Sequence, residues 1–227
     1  MRVASFDIGK KTFSFYVEDF DENIISSLIP PNKRYNQDGT PTSDFNEILD
    51  QIFINGNCVT ATTHDLTENC LENLYLEPMM FHNMTRVLDD YSDIWSTCDL
   101  FLIEQQMAFR KKYNTMAVKL GQHCWSYFAI KYGITREIIE IPAYYKTQVL
   151  GADKTPSVTK SGKTIWKNLD ARARKKWTSN LSENIMEMRH DKVGTRLLKK
   201  TKKIDDRADC ICQLQAFKVL RYLDNSI

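Results

Sequence analysis

Apolar runs separated by polar turns extend along most of the chain, and their spacing predicts an α/β protein. Residues 1–9 form an apolar run that ends in a carboxylate and a glycine, which predicts a strand that carries Asp7 to the rim of a sheet. Residues 12–18 alternate between apolar and polar positions, and residues 24–29 follow a polar turn. These three segments predict consecutive antiparallel strands.

Two further strands are predicted in the centre of the chain. Residues 100–104 (LFLIE) form an apolar run that ends in Glu104, and residues 137–141 (EIIEI) precede a proline. Between them, residues 115–131 have the apolar spacing of a helix. After the second of these strands, residues 143–151 predict a further helix that ends at Gly151. The expected strand count is therefore five.

The last predicted element is an amphipathic helix at residues 205–223. Asp206, Asp209 and Gln213 are spaced i, i+3, i+7 and therefore lie on one face of this helix. Carboxylates in a first helical turn are also favoured by the helix dipole, by about 0.3 to 1 kcal/mol. Capping alone could explain Asp205 and Asp206, but it accounts poorly for Asp209.

The acids at the ends of these elements predict a cation site if the fold brings them together. Two unit charges about 4 Å apart repel by roughly 4 kcal/mol at an effective dielectric constant near 20. Either the pKa values of Asp7, Glu104 and the acids at 205–209 rise, or a divalent cation binds. With no Cys or His at metal-ligand spacing beside Asp7 or Glu104, Mg²⁺ or Mn²⁺ is favoured over zinc. Such a site suits phosphoryl chemistry.

The length of the chain favours a single domain. A chain of 227 residues that is 42% hydrophobic can bury one full core, so we expect one domain over residues 1–227. Residues 30–69 are predicted to be an extended insertion of unassigned function. The six cysteines include no CxxC pair, and the sequence contains no signal peptide or long apolar span. A reduced, intracellular location without membrane contact is expected.

Positive charge is concentrated in one segment of the sequence. Residues 154–203 contain 15 Lys or Arg against 4 Asp or Glu, whereas the remainder contains 16 against 25. Such a segment on an acidic body predicts a polyanionic partner, nucleic acid above all, although a solvated basic face is the alternative. Within it, residues 154–163 are predicted to form a mobile loop and residues 169–198 short helices.

A second basic run, at residues 110–112 (RKK), directly follows the acid at Glu104 and is flanked by aromatic residues. This arrangement fits a loop that contacts backbone phosphates, and a solvated helix start is the alternative. The predicted DNA contacts are Arg110, Lys111, Lys112, Arg174, Lys175, Lys176, Lys202 and Lys203.

Four short motifs together resemble one known family. They are SFDIG at residues 5–9, IEQQ at 103–106, KLGQ at 119–122 and KKIDDRAD at 202–209. In this order they resemble the RuvC class of Holliday-junction resolvases, most closely its poxviral branch. The segments 30–69 and 154–203 are longer than the family pattern, which leaves room for an origin in another large DNA virus.

This resemblance implies an RNase H-like fold, with a five-stranded mixed sheet of three antiparallel and two parallel strands flanked by helices. It implies that Asp7 and Glu104 are the first two catalytic metal ligands, and that Asp206 and Asp209 are the acidic pair on the last helix. The neighbouring Asp205 is the alternative to Asp206. Two Mg²⁺ ions per active site, with Mn²⁺ expected to substitute, would activate water and stabilise the leaving oxygen.

The resemblance also implies the partners and the biological setting. Family members act as homodimers that nick two symmetric strands of a four-way DNA junction. The helix predicted at residues 115–131 is the candidate interface, although burial on both sides within one chain would explain its broad apolar surface equally well. A poxviral enzyme would resolve concatemeric genomes in the host cytoplasm.

Three other functions are compatible with parts of the pattern. An actin-like or sugar-kinase-like ATPase also begins with Asp-x-Gly after a strand, but it needs a second glycine-rich loop, and the 8 glycines here include no paired motif. A nucleic-acid binder with an inactive RNase H-like core would use the acids only for caps and ion pairs. A flap or RNA/DNA-hybrid nuclease on the same fold would use the same acids.

Overall fold

The computed structural model describes residues 1–71, 77–106, 114–200 and 204–227. The main sheet contains β1 (Arg2–Asp7), β2 (Phe13–Asp19), β3 (Asn57–His64), β4 (Leu100–Gln105) and β5 (Glu137–Pro142), and a separate hairpin contains β6 (Thr155–Val158) and β7 (Thr164–Lys167). The helices are α1 (Glu22–Ser26), α2 (Ser43–Ile54), α3 (Pro78–Asp90), α4 (Ser92–Trp95), α5 (Thr115–Tyr132), α6 (Tyr145–Gln148), α7 (Ala171–Met188), α8 (Lys192–Lys199) and α9 (Asp205–Lys218). A 3₁₀ turn (Gly133–Thr135) follows α5, and a π-helical turn (Val219–Leu223) extends α9.

The main sheet has the strand order β3-β2-β1-β4-β5. Strand β2 is antiparallel to both β1 and β3, whereas β4 is parallel to both β1 and β5. The predicted mixed sheet of five strands is therefore confirmed. Because β1 and β4 are parallel and Phe6 lies opposite Ile103, the carboxyl ends of both strands reach the same edge of the sheet.

Helices cover both faces of this sheet. In β1, Val3 packs into a core formed with α2, α7 and α9, whereas the alternate residues Ala4 and Phe6 pack into a second core with α3 and α5. All three side chains are fully buried. Strand β1 is therefore enclosed on both faces of the sheet.

The third antiparallel strand lies later in the chain than predicted. Residues 24–29 were predicted to be a strand, but the chain forms helix α1, because the carboxylate of Asp21 caps its first turn by accepting a hydrogen bond from the backbone N–H of Asn23. The third strand is β3, inside the segment at 30–69 that was predicted to be an insertion. Strand β3 is at the edge of the sheet and only partly buried, so its threonine-rich sequence lacks a strong apolar signal.

The prediction of a loop at residues 154–163 is also wrong. Strands β6 and β7 pair in antiparallel register, with Pro156 opposite Trp166 and Val158 opposite Thr164. Gly162 has a φ of +78° in the connecting turn, a conformation that glycine adopts without strain. The β-branched residues on either side favour the extended backbone. The short helices predicted at 169–198 are confirmed as α7 and α8.

The other helices follow the sequence pattern closely. The helices predicted at residues 115–131 and 205–223 are confirmed as α5 and as α9 with its π-helical turn. Pro78 is the first residue of α3, a position where the backbone N–H makes no hydrogen bond within the helix, so proline is tolerated there. Residues 72–76, just before it, lie outside the described part. Within that part, none of the helices is long and apolar enough to cross a membrane.

Candidate active site

The two strand-end acids meet at the carboxyl edge of β1 and β4. The side chains of Asp7 and Glu104 are hydrogen-bonded to each other. Both residues are partly buried, and 13% of the Glu104 side chain is exposed. Burial, followed by the charge of Glu104, raises the pKa of Asp7 well above its usual range. The side-chain amide of Gln106 lies 3.3 Å from Oε2 of Glu104 and donates to it.

A buried lysine supplies the positive charge at this pair. Lys146 lies on the short helix α6, directly after β5, and its side chain is only 6% exposed. Its Nζ lies 2.9 Å from Oε1 of Glu104 and 3.6 Å from Oδ2 of Asp209. Burial opposes ionisation of Glu104, but the Lys146 ammonium outweighs this and lowers the pKa of Glu104 to about 2. The acids in turn raise the pKa of Lys146 despite its burial.

Helix α9 brings Asp209 to the same place. One turn after Asp209, the amide Nε2 of Gln213 lies 3.1 Å from Oγ of Ser5, 3.3 Å from the carbonyl oxygen of Phe6 and 3.4 Å from that of Leu102. These hydrogen bonds fix α9 against β1 and β4. Three of the four predicted catalytic acids, Asp7, Glu104 and Asp209, therefore surround Lys146.

The first turn of α9 faces a different cation. Asp205 accepts a hydrogen bond of 2.7 Å from Nζ of Lys175 on α7. The pKa of Lys175 is raised, first by this hydrogen bond and then by the charges of Asp205, Asp206 and Asp209. Asp206 is 8% exposed and shares a helix face with Asp209. This shared helix face makes Asp206 the better candidate for the fourth acid.

The predicted DNA contacts can be located only in part. Arg174, Lys175 and Lys176 are exposed in the first two turns of α7. The contact of Lys175 with Asp205 sets these cations beside the acidic pocket. The other five predicted contacts lie outside the described residues: Arg110, Lys111, Lys112, Lys202 and Lys203.

Sequence reasoning missed Lys146. The interpretation of residues 143–151 as a plain helix overlooked that Lys146 is the only charged residue in that segment. A lone cation in an apolar segment after a predicted strand was the available signal. The helix is also shorter than predicted, because α6 spans only four residues.

The donor atoms of the pocket suit Mg²⁺ or Mn²⁺. Asp7, Glu104 and Asp209 offer only carboxylate oxygens, and the Asp7–Glu104 repulsion is of the kind that a divalent cation relieves. Over residues 1–71, 77–106, 114–200 and 204–227, no group of three or more His, Cys, Asp or Glu is already spaced to hold a metal ion. In the structure the Lys146 ammonium neutralises Glu104 and Asp209.

Comparison with known proteins gives relatives in both sequence and structure. No family model matches the sequence. The chain is 30% identical over 235 residues to the uncharacterized protein 170L of Invertebrate iridescent virus 6. This alignment covers 96% of this chain and 89% of the relative. It is 28% identical over 234 residues to the uncharacterized protein 97L of Invertebrate iridescent virus 3, covering 95% of this chain and 98% of the relative.

Three solved structures share the fold. The fowlpox virus resolvase in complex with substrate Holliday junction DNA has a TM-score of 0.52 at 16% identity, covering 96% of this chain and 97% of that chain. RuvC of Thermus thermophilus has a TM-score of 0.51 at 12% identity and covers 98% of both chains. The yeast mitochondrial Holliday junction resolvase Ydc2 has a TM-score of 0.53 at 12% identity, and the match covers 99% of this chain and 82% of the Ydc2 chain.

The fold is therefore that of the RuvC class of resolvases, an RNase H-like α/β fold. By sequence, the chain belongs to the same family as protein 170L of Invertebrate iridescent virus 6. Both sequence relatives are proteins of iridescent viruses, whereas the likeness to a poxvirus resolvase is one of fold.

Proposed function

We propose that this protein is a structure-selective endonuclease that resolves four-way DNA junctions by paired symmetric nicks. The observation that carries the proposal is the pocket in which Asp7, Glu104 and Asp209 surround the buried Lys146. The fold supports it, because it is shared by the fowlpox virus resolvase, determined in complex with substrate Holliday junction DNA, and by the yeast mitochondrial Holliday junction resolvase Ydc2.

The proposed chemistry is metal-assisted phosphodiester hydrolysis. Asp7, Glu104 and Asp209, with Asp206, would hold two Mg²⁺ ions. Bound there, these ions would activate water and stabilise the leaving oxygen. Lys146 keeps Glu104 ionised and would offset the repulsion of an incoming phosphate by Glu104 and Asp209. Gln106 holds the second oxygen of Glu104 in place.

A homodimer is part of the proposal, because two symmetric nicks require two pockets. Helix α5 and the following turn expose large apolar side chains to solvent: Trp125 by 37%, Ile130 by 86% and Ile134 by 103%. An exposed apolar patch of this kind suits a contact between subunits. A sedimentation mass equal to one 26.5 kDa chain, with and without junction DNA, would contradict the homodimer.

We also propose that the substrate is concatemeric viral DNA in the host cytoplasm.

A panel of DNA substrates tests the proposed function directly. The purified chain is incubated with a labelled mobile four-way junction, a flap and an RNA/DNA hybrid, each with Mg²⁺, with Mn²⁺ and with EDTA. We expect symmetric nicks in the junction with either metal and no cutting in EDTA. Equal cutting of all three substrates would favour a general nuclease, and binding without cutting would favour a nucleic-acid-binding module.

The exposed cations of α7 should contribute to binding through phosphate contacts. We expect the triple change Arg174→Ala, Lys175→Ala and Lys176→Ala to weaken junction binding and to reduce the slope of log K against log salt by about 2, since Arg174 and Lys176 would each contribute about 0.9 and Lys175 is already paired with Asp205. Titrations at several salt concentrations in EDTA measure both effects. The matched control is Lys131→Ala, because Lys131 is paired with Asp89. An unchanged slope in the triple variant would remove the phosphate-contact role.

A further inference from the structure

The hairpin β6–β7 has an outer face that no part of the described chain is seen to cover. Residues opposite each other in the ladder share a face, so Pro156, Trp166 and Val158 lie on one side of the ribbon. Val158 is 69% exposed and Trp166 is 41% exposed. On the other face, Ser157 and Ile165 are partly buried. The ribbon therefore directs an apolar, aromatic face towards solvent.

The charge of this hairpin is entirely positive. Residues 154–167 contain four lysines and no acidic residue. Lys160 and Lys163 flank the turn, and Lys154 and Lys167 lie at the base. An exposed aromatic side chain between lysines suits a nucleic acid, since the lysines pair with phosphates and the indole can stack on a base.

The root of the hairpin lies beside the candidate active site. Its two ends, at Lys154 and Asn168, line a cavity of 310 Å³ together with Thr147 and Gln148, which directly follow Lys146 in α6. On the other side the chain continues into α7, whose Lys175 is bonded to Asp205. The hairpin therefore connects α6, whose Lys146 contacts Glu104, to α7, whose Lys175 contacts Asp205.

The segment at 30–69 braces this root. The backbone N–H of Lys154 donates to the carbonyl oxygen of Asp38 at 2.6 Å, and the hydroxyl of Tyr35 donates to the carbonyl oxygen of Val149 at 2.7 Å. An isolated two-stranded hairpin is only marginally stable, so these contacts hold it in position. The first half of this segment thereby gains a structural role.

We propose that the hairpin β6–β7 is a DNA-binding arm, in which Trp166 stacks on an unstacked base near the branch point while Lys160 and Lys163 contact phosphates. This inference rests on the proposed function, because it assigns a part of the junction to a part of the chain. The partner is branched DNA rather than a protein, because the lysines around Trp166 match its charge and no acidic residue accompanies them.

Binding of labelled DNA in EDTA tests the arm without cleavage. We expect Trp166→Ala to bind the four-way junction about tenfold more weakly, or about 1.4 kcal/mol, with little effect on a linear duplex of equal length. Trp166→Phe, which keeps an aromatic face, should stay within about twofold of the wild type. The double change Lys160→Ala and Lys163→Ala should lower the salt slope by about 2. The matched control is Ile54→Ala, another exposed apolar residue.

The outcomes separate the arm from the proposed function. If the wild type binds and cuts junctions but Trp166→Ala matches Ile54→Ala, the arm is overturned and the nuclease stands. If Trp166→Ala changes the sedimentation of the DNA-free protein and leaves junction affinity intact, the hairpin is a protein interface and the arm is overturned. If the wild type has no preference for junctions over duplex, both proposals fail.

Discussion

Cleavage of a four-way junction should fall by about a thousandfold or more in Asp7→Asn and in Glu104→Gln, while junction binding stays close to that of the wild type. Each substitution replaces a carboxyl oxygen that would bind metal in the pocket around Lys146 with a neutral amide nitrogen. Loss of several kcal/mol of transition-state stabilisation corresponds to this rate, at tenfold for each 1.36 kcal/mol. Single-turnover cleavage with Mg²⁺ gives the rate, and titration in EDTA gives the affinity.

Stability distinguishes a chemical role from a structural one. The raised pKa of Asp7 means that its charge is unfavourable in the folded protein, so Asp7→Asn should leave the thermal midpoint unchanged or raise it. The matched control is Glu140→Gln, an exposed acid on the adjacent strand β5 opposite Ile103, which should cut normally. Binding and folding lost together with cleavage would mean that Asp7 and Glu104 serve the fold.

The sequence predicts the acidic part of the pocket better than the basic part. Asp7 and Glu104 end strongly apolar segments, and Asp209 is one helical turn from Gln213, so local periodicity locates all three. Lys146 lies on a four-residue helix, and its role depends on contacts with Glu104 and Asp209, which are 42 and 63 positions away. Such contacts leave no periodic signal along the chain.

The same limit explains the errors in the fold. The five-strand count is correct, but the sequence predicts the third strand at residues 24–29, where a capped helix forms. The true third strand, β3, is an edge strand that is only half-buried and therefore carries a weak apolar pattern. The hairpin β6–β7 was predicted to be a loop because its residues are polar and its pairing depends on a root built by residues near Asp38. Both errors concern strands whose partners are not set by local pattern.

A second feature that no local pattern reveals is a buried ionic network behind the sheet. Glu18 on β2 is fully buried and accepts hydrogen bonds from Arg189 at 2.7 and 3.1 Å, from the hydroxyl of Tyr16 at 2.7 Å and from the amide of Gln215 at 3.1 Å. It also forms an ion pair with the fully buried Lys218 of α9. The network joins β2 to the end of α7 and to α9, and thus helps to hold the helix that carries Asp209.

Glu18→Gln should therefore cause the largest loss of stability among the substitutions considered, about 3 to 5 kcal/mol in the free energy of unfolding, because two buried cations lose their counter-charge. Urea denaturation at pH 7 measures the loss. The matched control is Glu137→Gln, which breaks an exposed ion pair with Arg221 and should cost about 0 to 1 kcal/mol.

The pH dependence of that loss identifies its electrostatic origin. Burial opposes ionisation of Glu18, but Arg189 and Lys218 outweigh it and lower its pKa from 4.5 to about 2. A carboxylate whose pKa is lowered by folding stabilises the protein above the unfolded value, and this contribution is lost as the pH falls towards the folded value. The difference between the wild type and Glu18→Gln should thus be full above about pH 5 and shrink between about pH 5 and pH 2. A difference that stays constant over this range would assign the loss to packing rather than to charge.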